Sequence, residues 1–352
     1  MRIPTYLSYS SLSTFEVEPE EFYMKYLADN RPARQPQTGP MCVGSAFDAY
    51  VKSALHEALY GKGVDPVYEL QTLFEDQVDP PNRDFAWGAG AHCFEAYKKT
   101  GAYEELLALL QKSIEDPRFE CKLTGTIGGA PFLGKPDCRF VLDLGEGRIS
   151  IVLDWKVKGF CGKHAASPTK GFALCRDGFE PVPTAAQAKK GQPGKPTRSH
   201  NKPHGMYMPY DFRGMVVNRD YMENCSMEYA DQCSLYGWLL GEEVGSDSIV
   251  WIDELISKPT GDALEGEYPL LRVANHRSRV KPSYQEELVK RVANCWEAIT
   301  SGHIFQELSR EESDAKVQEL DDVALGLSTD GSPEENWYSE VTRPQTFFKK
   351  KR

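Results

Sequence analysis

Apolar positions recur at helical spacing through the first third of the chain. From Ser10 to Leu27, the residues Leu12, Phe15, Phe22, Tyr23 and Tyr26 share one side of a predicted helix, and a serine is available to cap its start. A loop with three prolines follows over Arg31 to Pro40. A second helix is expected over Val43 to Leu59, with Val43, Phe47, Tyr50, Val51, Ala54 and Leu55 on its apolar face. The stretch from Gly61 to Pro81 is mixed. Ala91 to Leu110 is helical in pattern, with a break expected at Gly101.

The pattern changes at Phe119. Up to Val157, short β-prone runs are separated by glycines at 128 and 129 and again at 145 and 147, which predicts a meander of about three strands. Phe160 to Gly214 is rich in Pro, Gly and Lys and too long for an ordinary connection. A helix is expected over Met227 to Leu240, strands over Ile249 to Leu255 and Pro269 to Asn275, and an amphipathic helix over Tyr284 to Ile299 using Leu288, Val292, Trp296 and Ile299. Beyond about residue 309 the chain becomes acidic and loses periodicity. The expected division is therefore a domain over 1–308, with a basic insertion at 158–219, and a flexible acidic tail over 309–352.

Alternation within the meander directs attention to one strand. Ile149, Ile151, Leu153, Trp155 and Val157 share a face, and Asp154, Lys156 and Lys158 share the other. If the hairpin turns between Gly145 and Glu146, residues paired across it have numbers summing to 291. Asp137 and Asp154 satisfy that sum, so a simple hairpin sets their carboxylates side by side. Like charges directly opposite destabilise a sheet, and a metal ion between them reverses that cost. Two carboxylates beside a lysine suit phosphodiester hydrolysis: hard oxygen ligands hold Mg²⁺ or Mn²⁺, and a lysine orients water or stabilises the phosphorane. Read alone, Asp-x-Lys on a strand is more commonly an ordinary surface ion pair.

Charge refines this picture. The chain carries −11 overall, an unpromising value for a nucleic-acid partner. Lys156 to Arg219, however, contains twelve basic residues against three acidic ones, a local +9 that leaves −20 for the remainder. A basic segment of that kind binds phosphate, or is simply a solvated loop. Nine cysteines without a Cys-x-x-Cys pair argue for reduced thiols and against a zinc ribbon. No run approaches a membrane span, and Met1 to Tyr6 has no apolar leader core, so a cytoplasmic protein is expected.

Pro136-Asp137 followed by Asp154-Trp155-Lys156 resembles the signature of the PD-(D/E)XK nuclease superfamily. Gln232-Cys233-Ser234-Leu235-Tyr236 is similar to the Gln-x-x-x-Tyr helix of the branch that contains the RecB nuclease domain, the CRISPR-associated adaptation nucleases and phage recombination exonucleases. Ser8-Tyr9-Ser10-Ser11-Leu12 with Phe22-Tyr23-Met24-Lys25-Tyr26 resembles the opening helix of that branch. Gly44-Ser45-Ala46-Phe47-Asp48 resembles the helix that usually carries a metal-binding His, here Asp48. Glu18-Pro19 stands where many relatives have Cys-Pro, and no C-terminal cysteine group is present, so no iron–sulfur cluster is expected. The resemblance covers about residues 6 to 300 and rests on these four short motifs.

The resemblance implies an α/β fold, a mixed central sheet flanked by helices with a restriction-endonuclease-like core. It implies a divalent-metal-dependent DNA exonuclease, with an endonuclease or a non-catalytic DNA-binding protein on the same scaffold as the alternatives. Asp137, Asp154, the Trp155 carbonyl and Asp48 would hold Mg²⁺ or Mn²⁺. Lys156 would act on water or phosphate, and Gln232 and Tyr236 would position substrate or the lysine. Arg139, Lys158, Lys189, Lys190, Lys195 and Arg198 are the candidate DNA contacts. The partners implied are DNA and a single-strand annealing or other recombination protein.

Overall fold

The computed structural model describes residues 1–158 except 33, 144 and 146, together with 173–175, 181–182, 227–241, 249–257, 271–279 and 282–330. It divides into two compact units, one formed by residues 36–123 and 135–285 and the other by 1–35, 124–134 and 286–352.

The larger unit holds a seven-stranded mixed sheet. Its strands are β1 (Arg118–Phe119), β4 (Cys138–Asp143), β5 (Arg148–Lys158), β6 (Ala173–Cys175), β7 (Pro181–Val182), β8 (Ile249–Ser257) and β9 (Leu271–Arg279), in the spatial order β1-β4-β5-β8-β9-β6-β7. Among these described strands, β5 and β8 run parallel and the other pairs antiparallel. The β4–β5 hairpin pairs Cys138 with Leu153, Phe140 with Ile151 and Asp143 with Arg148, the register expected from a turn at Gly145. Gly145 and Gly147 take φ +78° and +115°, conformations that favour glycine.

Alternation along β5 sorts its side chains as expected. Ile149, Ile151, Leu153 and Trp155 enter the main core with Phe140, Trp251 and residues of α3 (Gly39–Tyr60), α5 (Arg83–Lys99) and α6 (Ala102–Leu110). A one-residue slip would move this whole set out of the main core. The three aliphatic residues alone are worth about 1.5–3 kcal/mol each when buried, a sum comparable to the stability of a whole domain. On the other face, Val152, Val250 and Ile252 pack with Ala230, Cys233 and Tyr236 of α7 (Met227–Leu239). Helices therefore flank both faces of the sheet.

Within the main core, Asp253 is fully buried. It accepts hydrogen bonds from Tyr97 Oη at 2.5 Å and Trp251 Nε1 at 2.6 Å, while Trp155 Nε1 donates to Tyr97 Oη at 3.3 Å. Buried charges persist where donors surround them in this way. Helix α4 (Leu70–Gln77) packs on α3 through Leu73 and Phe74.

Several elements depart from the sequence pattern. The expected helix from 10 to 27 is interrupted. Ser8 caps α1 (Tyr9–Val17) in a reciprocal box with Ser11, Glu18 leaves helical geometry, and Pro19 begins the short α2 (Pro19–Phe22), followed by a π turn over Tyr23–Leu27. Proline has no N–H to continue a helix but suits its first position. The 119–157 meander contains five strands rather than three. β2 (Leu123–Ile127) and β3 (Ala130–Gly134) form a separate hairpin. The region after 309, read as aperiodic, forms helix α9 (Arg310–Asp330), with Leu320 and Ala324 buried and Tyr23 Oη donating to Asp321 at 2.8 Å. Arg291 of α8 (Pro282–Ser301) makes a two-pronged ion pair with Glu16 of α1. Among the described residues, no helix is long and apolar enough to cross a membrane.

Helices α3 and α5 approach closely at Gly90, where an added Cβ would lie 2.6 Å from Ala46 Cβ and 2.9 Å from the Ala46 carbonyl carbon. Gly90→Ala is expected to destabilise the fold by about 1–3 kcal/mol, read as a lower urea midpoint, overpacking outweighing the ~1 kcal/mol helix-propensity gain. A higher midpoint would contradict this contact.

Candidate metal centre and active site

Asp137 precedes β4, where the hairpin register continues to Asp154 on β5. The two residues clasp the strands at this point. The Asp137 N–H donates to Asp154 Oδ1 at 3.1 Å, and the Trp155 N–H donates to Asp137 Oδ2 at 2.8 Å. Each carboxylate thus closes a ladder position that backbone carbonyls leave open. Burial and the neighbouring Asp154 charge push the Asp137 carboxyl well above the usual carboxylate range.

A second set of carboxylates adjoins the first. Asp48 of α3, Glu120 after β1 and Asp137 offer oxygens that all lie within 4.8 Å of one another. Burial raises the Asp48 carboxyl, and Glu120 adds to the rise, while Lys52 opposes it. Burial also pushes Glu120 upward, but Lys52 and Lys135 outweigh it and hold Glu120 below its ordinary value. Gln77 favours the charged form of Asp48, but among the described residues no group closes a hydrogen bond to the buried Asp48 Oδ1. These carboxylates are hard oxygen donors of the kind that hold a divalent cation, and the Lys52 ammonium lies among them. Carboxylate oxygens that already accept one hydrogen bond retain a second lone pair for such a role.

Lys156 lies on the same sheet face. Its Nζ donates to Asp154 Oδ2 at 2.9 Å and to Gln232 Oε1 at 3.0 Å, and Gln232 Nε2 donates to Tyr236 Oη at 2.5 Å. Gln232 and Tyr236 face the site together because they lie one turn apart on α7, whose Ala230 and Cys233 pack over β5 and β8. Burial would lower the Lys156 pKa, but Asp154 and Asp137 overcome it and raise it, so the ammonium stays charged. Lys156 and Lys158 both stand over the Tyr229 ring, 5.1 and 4.3 Å from its centroid.

The structure therefore gathers Asp48, Asp137, Asp154, Trp155, Lys156, Gln232 and Tyr236. Lys158 is one-third exposed and pairs with Glu254 at 3.3 Å. Arg139 shares the sheet face of Asp137, is 18% exposed and pairs with Glu115 at 3.4 Å. Lys189, Lys190, Lys195 and Arg198 lie outside the described residues, as does most of the basic segment.

Sequence reasoning missed Lys52 and Glu120. Lys52 had a signal, being one helical turn from Asp48 beside the apolar Val51 and Leu55. Glu120 had none: it joins the cluster from a left-handed backbone, φ +51°, that no local pattern announces.

Because the Asp137 carboxyl is raised, a cation binding there competes with protons. Mn²⁺ affinity is expected to rise with pH, with protons released on binding, read by calorimetry in buffers of different ionisation enthalpy. Binding without proton release would rule out Asp137 as a ligand.

Comparison with protein-family models, with curated proteins and with solved structures finds no match to this chain, so the functional reading stands on the geometry of the site.

Proposed function

We propose that the chain is a divalent-metal-dependent deoxyribonuclease with a restriction-endonuclease-like core, acting as an exonuclease. The observation that carries this reading is the single hydrogen-bonded series Asp137–Asp154–Lys156–Gln232–Tyr236 on one sheet face, beside the Asp48–Glu120 carboxylates. Asp137, Asp154 and the Trp155 carbonyl, with Asp48 behind Asp137, would hold Mg²⁺ or Mn²⁺, which would acidify a bound water and neutralise charge on the scissile phosphate.

The chain's own groups have separable tasks. The clasp between the strands holds the Asp137 and Asp154 carboxylates adjacent despite their repulsion. Lys156, whose ammonium pairs with Asp154, serves as a cation facing the phosphate. Gln232 fixes the Lys156 ammonium by accepting one of its hydrogens, and Tyr236 receives the amide hydrogen that orients Gln232. The Trp155 indole, tied through Tyr97 to Asp253, anchors the strand from the opposite face. The basic segment from 158 to 219 supplies attraction to the DNA backbone.

Asp154→Asn is expected to reduce cleavage of end-labelled DNA by about 10³-fold or more, while DNA binding in Ca²⁺ persists. Linear duplex should be degraded from its ends and closed circular DNA left intact. Cutting of the circle would make the enzyme an endonuclease. Intact DNA under all divalent ions, with binding retained, would make it a non-catalytic DNA-binding protein.

Replacing Lys189, Lys190, Lys195 and Arg198 together by Ala should flatten the salt dependence of duplex binding by roughly 0.9 log units of slope per lost phosphate contact. An unchanged slope would remove the segment from the DNA path.

A further inference from the structure

Lys52 lies on α3 one turn beyond Asp48 and is fully buried. Its ammonium meets Asp48 Oδ2 at 2.5 Å, pairs closely with Glu120 Oε1, and lies 3.7 Å from Asp137 Oδ1. These are the three carboxylates whose oxygens are mutually close enough to ligate one ion. The ammonium sits among them as an ion would, its charge answered from three sides. Lys135, half-exposed, pairs with the other Glu120 oxygen.

We propose that Lys52 is the protein's own occupant of the Asp48–Glu120–Asp137 carboxylate cage, a tethered cation that replaces one divalent ion, so that the chain takes up a single exchangeable ion at Asp137 and Asp154. The inference rests on the metal-dependent reading of this site and specifies its stoichiometry.

The cost of the alternative supports it. A divalent ion entering the cage would displace the ammonium from its carboxylates while the side chain, fully buried, has no exposed position to move to, leaving a buried charge without partners. Charge balance points the same way. Asp48, Glu120, Asp137 and Asp154 face two inner ammoniums, Lys52 and Lys156, an excess of two negative charges before Lys135 is counted from outside. One divalent ion answers that excess and a second would exceed it. Asp137 belongs to both halves of the cluster: Oδ1 lies toward Lys52, and Oδ2 is held by the Trp155 N–H beside Asp154. On this arrangement Lys52 and the exchangeable ion share Asp137 as a bridge.

The test is titration of the full chain with Mn²⁺ alone, free ion being followed by electron paramagnetic resonance without DNA. Wild type is expected to bind one Mn²⁺, and Lys52→Met, which keeps the length and removes the charge, is expected to bind two. Two ions on wild type, none, or one on folded Lys52→Met would overturn the proposal. Should Lys52→Met fail to fold, Glu120→Gln decides. It should still bind one Mn²⁺ with affinity within about threefold of wild type, whereas a loss of about tenfold or more, the usual cost of disturbing a metal site, would mean that the cage holds the ion. Cleavage is measured separately. Two ions on an active nuclease would defeat the Lys52 assignment alone, and one ion on an inactive protein would defeat the nuclease reading alone.

Discussion

The pairing of β4 with β5 is the constraint on which the candidate site depends. Its register comes from burial on one face, where Ile149, Ile151, Leu153 and Trp155 enter the main core, and from the glycine turn at its tip. With those fixed, the other face has no freedom: Asp137 must meet Asp154, and Lys156 must follow on the same side. The apolar contacts thus stabilise an arrangement that the charges alone would oppose.

The opposition is managed locally. Asp137 and Asp154 each accept a backbone N–H from the partner strand, which turns two repelling carboxylates into a strand clasp. Lys156 and Lys52 stand at opposite ends of the pair, one held by Gln232 and the other by Asp48 and Glu120. Burial without these partners would neutralise the groups, and the raised Asp137 carboxyl is the remaining sign of that tendency. A cluster so arranged sacrifices stability for a concentrated field at one spot, a common property of functional sites.

The opposite face of β5 repeats the logic in another form. Asp253 is buried in the main core, where Tyr97 and Trp251 donate to it and Trp155 reaches Tyr97. Trp155 therefore has its backbone in the clasp and its ring in a polar network. One residue links the packing of the helices to the position of the carboxylates.

By itself the sequence determined what depends on neighbours close along the chain. Side-chain alternation on β5, the hairpin sum that joins Asp137 to Asp154, the break at Gly101 and the Gln232–Tyr236 spacing are all local regularities, and each has its structural counterpart. Pro19 was visible too, and its missing N–H explains why the first helix stops at Val17. Arg310 to Asp330 shows the opposite case: a mostly polar segment forms a helix that buries only a few residues, including Leu320 and Ala324, too sparse a stripe for periodicity to reveal. Only tertiary structure decided which distant charges meet. Glu120 arrives from 68 residues beyond Lys52 through a left-handed backbone, and Gln232 from 76 residues beyond Lys156. Long-range electrostatic partners are selected by packing of the elements that carry them, and no local pattern encodes that selection.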